Sequence, residues 1–172
     1  MTRLPDNYEF KESQWTSNYL RINEDAQEFR ILTSPIIWWE YFKDEWGKSV
    51  PVRQKAEFDW IPSDSKNGEK PKEFWAFPIW NHTLWKLQIA EITQQSVKKE
   101  IWKYAKDENW GDPKNYDFSI FKTGKGKETR YTLTAIPKSK FESADVENEA
   151  FESAKKINLD ALFEGGYPFK PF

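Results

Sequence analysis

The sequence predicts a mainly β fold, a small barrel with one helix, on three observations. Aromatic and β-branched residues come in short runs broken by Pro, Gly, Asn and Ser, the pattern of strands and turns. One stretch alone, residues 93–108, has helical periodicity. Apolar volume is carried by rings, since 10 Trp, 7 Tyr and 13 Phe stand in a chain of mean hydropathy −0.89. Large aromatics must therefore fill much of the core.

Residues 1–27 are polar, lack a sustained period and read as an N-terminal arm. Residues 29–42 (FRILTSPIIWWEYF) form a long strand that Pro35 must bend or bulge. Residues 50–58 make a short strand carrying Arg53 and Lys55. Residues 61–71 (IPSDSKNGEKP) read as a mobile loop. Residues 74–80 and 84–92 pair around Asn81-His82-Thr83. Alternation puts Trp75, Phe77 and Ile79 on one face of the first strand and Phe74, Ala76, Pro78 and Trp80 on the other. Both faces are apolar, so one covers the core and the other meets something else. Thr93 is the expected N-cap of a helix to about residue 108, with Val97, Ile101, Tyr104 and Ala105 as its apolar stripe. Asn109-Trp110-Gly111-Asp112-Pro113 stops it. A second hairpin joins residues 116–122 to 129–136 through Thr123-Gly124-Lys125-Gly126-Lys127-Glu128. This order is that of a five-stranded OB-fold barrel with one helix between strands 3 and 4, spanning residues 28–140.

The formal net charge is −2, unevenly placed. Residues 141–172 hold seven acids against three lysines, leaving the rest of the chain slightly basic, so the chain ends in an acidic tail expected to be flexible. There is no Cys and one His, which excludes disulfides, thiol nucleophiles and Cys-based zinc sites. His82 reads as a turn residue, and neither metal nor cofactor is expected. Glu40, Asp44 and Glu45 have no nucleophile or base at recognisable spacing, and Gly124-Lys125-Gly126-Lys127 lacks the spacing of a phosphate-binding P-loop. No enzyme is indicated. No apolar run approaches the roughly 20 residues of a membrane helix, and no apolar segment of a secretory signal follows Met1. The expectation is a cytoplasmic protein without a membrane partner.

Seven tryptophans fall between residues 38 and 85, interleaved with seven lysines and arginines and followed at once by Lys86. Aromatic faces beside cations suit a groove that stacks bases and tracks phosphates. An OB barrel binds oligomers across strands 2 and 3, between the loops that follow strands 1 and 4. On that frame the stacking candidates are Trp39, Tyr41, Trp46, Trp75, Phe77 and Trp80, although alternation requires some of them in the core. The phosphate candidates are Arg53, Lys55, Lys72, Lys86, Lys125, Lys127 and Arg130. In the tail, Phe141-Glu142-Ser143-Ala144 recurs as Phe151-Glu152-Ser153-Ala154. Leu162, Phe163, Phe169 and Phe172 are the candidates for partner contacts, and the tail's acids could compete with DNA for the groove. Two other readings stay open. A carbohydrate-binding module would use Trp platforms on sugar faces, and a structural or interaction protein would simply bury its indoles.

Several of these segments, in order, resemble the single-stranded DNA-binding proteins of tailed bacteriophages. They are residues 29–36 (FRILTSPI) followed by Trp39-Glu40-Tyr41, Lys72-Glu73-Phe74-Trp75-Ala76-Phe77 closed by Trp80-Asn81, and Glu91-Ile92-Thr93-Gln94. The helix, its stop at residues 109–113 and Tyr116-Asp117 complete the match, which spans roughly 27–137. The resemblance implies an OB-fold that coats single-stranded DNA in phage replication or recombination. It also implies no enzymatic activity, contacts to replication or recombination proteins through the tail, and possible self-association on DNA. The Pro171-Phe172 ending is similar to that of bacterial single-stranded DNA-binding proteins, although Lys170 departs from their acidic character. The Cys and His ligands of zinc-bearing phage relatives are missing.

Overall fold

The computed structural model describes residues 18–137, 139–164, 168 and 169. Most of the expected arm, residues 1–17, and Phe172 of the tail lie outside them. The long first strand forms as two pieces, β1 (Gln27–Ile31) and β2 (Ile36–Glu45). Between them Pro35, which has no N–H to donate, ends the ladder, while the Leu32 N–H still donates to the Pro78 carbonyl at 3.0 Å. β3 (Lys48–Gln54) folds back on β2 through Trp46 and Gly47. Both turn residues have positive φ, 52° and 76°, as a two-residue turn matched to strand twist requires.

Next come β4 (Lys72–Asn81) and β5 (Lys86–Ile92), then helix α1 (Gln95–Lys106). The hairpin of β6 (Asp117–Thr123) and β7 (Arg130–Ile136) follows. The long β4 pairs with β2 along one half and with β1 along the other, with β5 on its second edge. β1 in turn pairs with β6. All these ladders are antiparallel, and the path runs β3-β2-β4-β1-β6-β7 with β5 beside β4.

The mainly β expectation is met, but a closed five-stranded barrel is not what forms. The sheet has seven strands because Pro35 divides the first and β3 adds a hairpin. Among the described residues no ladder joins β5 to β7. The free edge of β5 is instead taken by residues 18–20, where the Leu20 N–H donates to the Ile89 carbonyl and the Ile89 N–H to that of Asn18, both at 2.9 Å.

Each face of the sheet carries its own apolar layer. On one, Phe29, Phe77, Ile79, Ile92, Phe118 and Ile120 pack under α1 through Val97 and Ile101. A fully buried side chain of this size contributes about 1.5–3 kcal/mol. The helix begins after Gln94 rather than Thr93. Lys98, though charged, is buried because its Nζ donates to the Glu73 carbonyl at 2.7 Å and pairs with that residue's carboxylate at 3.3 Å, tying helix to sheet.

The opposite face is covered by the chain's own C-terminal segment, which the sequence had suggested would be flexible. Helix α2 (Ala144–Ala154) is capped by the Ser143 hydroxyl accepting from the Val146 N–H, with Asp145 and Glu147 in its first turn, where the helix dipole favours acids. Ala150 and Ala154 pack beside Leu32, while Ile157 and Leu162 pack on Trp38, Phe74, Ala76 and Ile89. This second layer explains why both faces of β4 are apolar.

Candidate functional site

Along β2, Ile37, Trp39 and Tyr41 share a face, and the segment after β3 folds over it. Tyr41 anchors that segment. Its hydroxyl donates to Asp64 Oδ1 at 2.9 Å and its ring meets Phe58 edge-on at 5.3 Å. Burial, reinforced by the bond to the Asp64 carboxylate, raises the Tyr41 pKa, so the phenol keeps its proton and the tether holds. A bridge between Lys43 and Ser65 and the Ser65 hydroxyl donating to the Glu69 carbonyl at 2.7 Å fix the rest of the loop.

The loop so held leaves a cleft of about 220 Å³ lined by Trp39, Phe58 and Trp60 together with Glu57, Asp59 and Lys70. Trp60 is 74% exposed. Lys70 also lines a second, adjoining hollow with Lys72, Phe42 and Glu40; Lys72, the register partner of Glu40, starts from the face of the sheet opposite to Trp39. Among the described residues, none of Glu57, Asp59, Lys70 and Lys72 is in an ion pair. Lys55 follows Gln54, the register partner of Trp39. Farther along the same hairpin Trp46 is 96% exposed, with Lys43 and Lys48 beside its turn.

A buried polar cluster lies elsewhere, where β1, β6 and the start of α2 meet. Arg30 and Asp117 are almost completely buried, with Nε to Oδ1 at 2.8 Å. The same oxygen lies 2.9 Å from His82 Nε2, and Oδ2 accepts from the Lys140 N–H at 2.8 Å. Burial alone would raise the Asp117 pKa, but the bonds from His82, Arg30 and the Lys140 backbone outweigh it and hold the carboxyl below its ordinary range. Glu147 of α2 joins Arg30 Nη1 at 3.0 Å, and Phe141 lies over the guanidinium, 5.1 Å from its carbon. The charges are satisfied internally. The cluster holds the C-terminal segment on the sheet, with His82 Nδ1 buried and left without a hydrogen-bond partner among the described residues.

The sequence candidates divide accordingly. Trp39 lines the cleft, Lys72 the adjoining hollow, Lys55 follows the register partner of Trp39, and Trp46 caps the hairpin. Phe77, 1% exposed, is core. Tyr41 is buried as the loop anchor. Trp75 is half-buried against the α1 layer, its Nε1 donating to Glu73 at 3.1 Å. Trp80 is half-buried, stacked on Phe141 under the C-terminal segment. Phe77, Trp75 and Trp80 lost the role of open platform because β4 carries an apolar layer on each face, and Tyr41, on β2, because it anchors the loop. Arg53 is committed inward: it pairs with Glu40 at 3.1 Å and Glu91 at 3.6 Å, donates to the Leu162 carbonyl at 2.6 Å and lies 4.7 Å over Phe74. Burial raises the Glu91 pKa, with Arg53 opposing and Glu40 reinforcing the shift.

Lys125, Lys127 and Arg130 are exposed at the β6–β7 turn. The pairing of Gln27 with Ile120 sets that turn beyond the start of β1, whereas Trp46 lies beyond the end of β2. Lys86 begins β5 opposite Asn81, at the same end as the β6–β7 turn. The phosphate candidates therefore fall into two groups by register rather than one. Leu162, Phe163 and Phe169, the tail candidates, pack against the second layer; Phe163 meets Trp38 edge-on at 4.5 Å.

Phe58, Trp60 and Lys70 were not anticipated as site residues. The available signal was the alternation Glu57-Phe58-Asp59-Trp60, aromatics set among acids in a stretch with no regular element. Compared with protein-family models and with curated proteins, the chain matches none. Among the described residues no helix is long and apolar enough to cross a membrane, and no cluster of three or more His, Asp or Glu is placed to hold a metal.

Proposed function

We propose that the protein binds single-stranded DNA without strict sequence requirement, through the β2–β3 hairpin and the loop that follows it. The observation that carries this reading is the cleft lined by Trp39 and Trp60 with Lys70, which it shares with the adjoining hollow that holds Lys72. Indoles at a cleft mouth contribute little to the core, while flanking cations match a phosphate backbone; stacking is worth about 1–3 kcal/mol per base. Trp46 adds support. Its indole buries almost nothing, and its positive φ is a strained conformation for a bulky residue, so the fold gains nothing from a tryptophan there.

The strand order lends further support. Taking β1 and β2 as one strand, the order β5-β4-β1-β6-β7 with α1 after β5 is that of an OB barrel left open between its third and fifth strands. On that frame the outer face of β4 and β5 would be a platform, and here the chain's own C-terminal segment lies on it. DNA then runs along the neighbouring hairpin and loop. The acidic segment acts as a competitor for the sheet face and, through apolar groups it releases on leaving, as a contact for replication or recombination proteins.

Titration of tryptophan emission with oligo-dT at low and high salt tests the proposal. Quenching that weakens steeply with salt is expected, because phosphate contacts release counterions. Salt-indifferent quenching by an oligosaccharide, with none by DNA, would favour the carbohydrate reading. No change with either would leave the indoles structural.

A further inference from the structure

Beyond sequence-tolerant coating, we infer that the Trp39–Trp60 cleft is a one-base pocket that favours bases carrying an exocyclic amino group over thymine. This inference rests on the DNA-binding reading and specifies what its cleft selects.

A volume of about 220 Å³ falls below the roughly 300–1,000 Å³ of sites for drug-sized ligands, a size suited to one ring. Trp39 on β2 and Trp60 on the loop supply two aromatic walls, and the tether from Tyr41 to Asp64 keeps the loop in place. Polar groups at the rim are lopsided. Glu57 and Asp59 are acceptors only, Lys70 is a donor only, and among the described residues none of the three is paired. A phosphate is repelled by the two carboxylates, so the backbone must stay on the side of Lys70, toward the hollow that holds Lys72, and the base must turn toward the acids. In a single strand the Watson–Crick edge is free to be read. Cytosine, adenine and guanine each present amino N–H groups that a carboxylate accepts. Thymine presents one imide N–H between two carbonyl oxygens, which the carboxylates repel. Carboxylates at a DNA site would oppose every phosphate, and amino recognition gives them a compensating use.

The test compares oligo-dC with oligo-dT of equal length at low salt, by fluorescence anisotropy of labelled oligomers. The proteins are the full chain, Trp60→Ala, and the double variant Glu57→Ala/Asp59→Ala. The full chain should prefer dC by about tenfold, a typical discrimination for one well-placed base contact. Trp60→Ala should weaken dC more than dT. The double variant should affect the ligands unequally: dT tightens as repulsion is lifted, and dC does not tighten because its partner is gone. Unfolding curves superimposed on that of the full chain establish that the variants fold, since all three residues are exposed.

Equal affinity for dC and dT in the full chain, an unchanged ratio in Trp60→Ala, or equal tightening of both ligands in the double variant overturns the pocket while leaving DNA binding intact. Failure of both oligomers to bind overturns the two proposals together.

Discussion

Replacing Asp117 by Asn tests whether the buried cluster holds the C-terminal segment on the sheet. The substitution preserves shape and removes one charge. Three donors converge on the carboxylate: Arg30 Nε and His82 Nε2 on Oδ1, at 2.8 and 2.9 Å, and the Lys140 N–H on Oδ2, at 2.8 Å. An amide has one oxygen, so turning it toward Arg30 sets its NH₂ against the Lys140 N–H, and the reverse leaves Arg30 Nε without its acceptor. Arg30, 1% exposed, then keeps one charged partner, Glu147, whose side chain is 34% exposed, beside two neutral acceptors, the Lys114 carbonyl at 3.1 Å and Ser139 Oγ at 3.4 Å. Breaking one partner out of a buried pair costs about 3–5 kcal/mol. At about 2–4 °C per kcal/mol for a chain of this size, the midpoint should fall by about 6–20 °C. The assay is thermal or urea unfolding followed by tryptophan emission, with Glu147→Ala in parallel. That variant removes the partly exposed partner and should cost only about 1 kcal/mol. A loss below about 1 kcal/mol for Asp117→Asn, or a larger loss for Glu147→Ala, would refute the assignment of the cluster as the anchor.

Acid titration should show the same group. The folded Asp117 pKa lies below the ordinary 3.8, so the unfolded chain binds the proton more readily and this part of the stability is present above pH 3.8 and lost as pH falls from there through the lower folded value. Urea midpoints measured between pH 5 and 3 should decline in the wild-type chain, and this component should be missing in Asp117→Asn. Leu162→Ala removes a side chain 3% exposed from the layer on Trp38 and Phe74, at a cost of about 2–5 kcal/mol if that layer belongs to the cooperative fold. A change under about 0.5 kcal/mol in the urea midpoint would mean that the segment is not part of the folding unit.

Much of the sheet was legible because its signals are local. Alternation marked β4 and β5, the stop at residues 109–113 bounded the helix closely, and Pro35 announced the break between β1 and β2. What failed to show depended on distant partners. Trp46-Gly47 is not a conventional hairpin turn, since Asn or Asp normally precedes the glycine, so the fold-back of β3 onto β2 carried no signature. Alternation divided the residues of β4 correctly between two faces but could not assign them, because both faces are apolar and only the docked C-terminal segment explains the second. Ala150, Ala154, Ile157 and Leu162 sit among acids, and their spacing drew less notice than the charge around them. Within the site, Trp39 and Lys72 were legible as aromatic and cation. Trp60 was not, because its place opposite Trp39 depends on the Tyr41–Asp64 tether between residues 23 positions apart.

The most direct test of the central claim is the salt dependence of oligo-dT binding in the full chain and in Lys70→Ala/Lys72→Ala. If both lysines meet phosphates, log K against log salt should be shallower in the double variant by about 1.4, at roughly 0.7 per phosphate contact on a single strand. An unchanged slope would remove DNA from the cleft, and absence of binding at low salt would contradict the account as a whole.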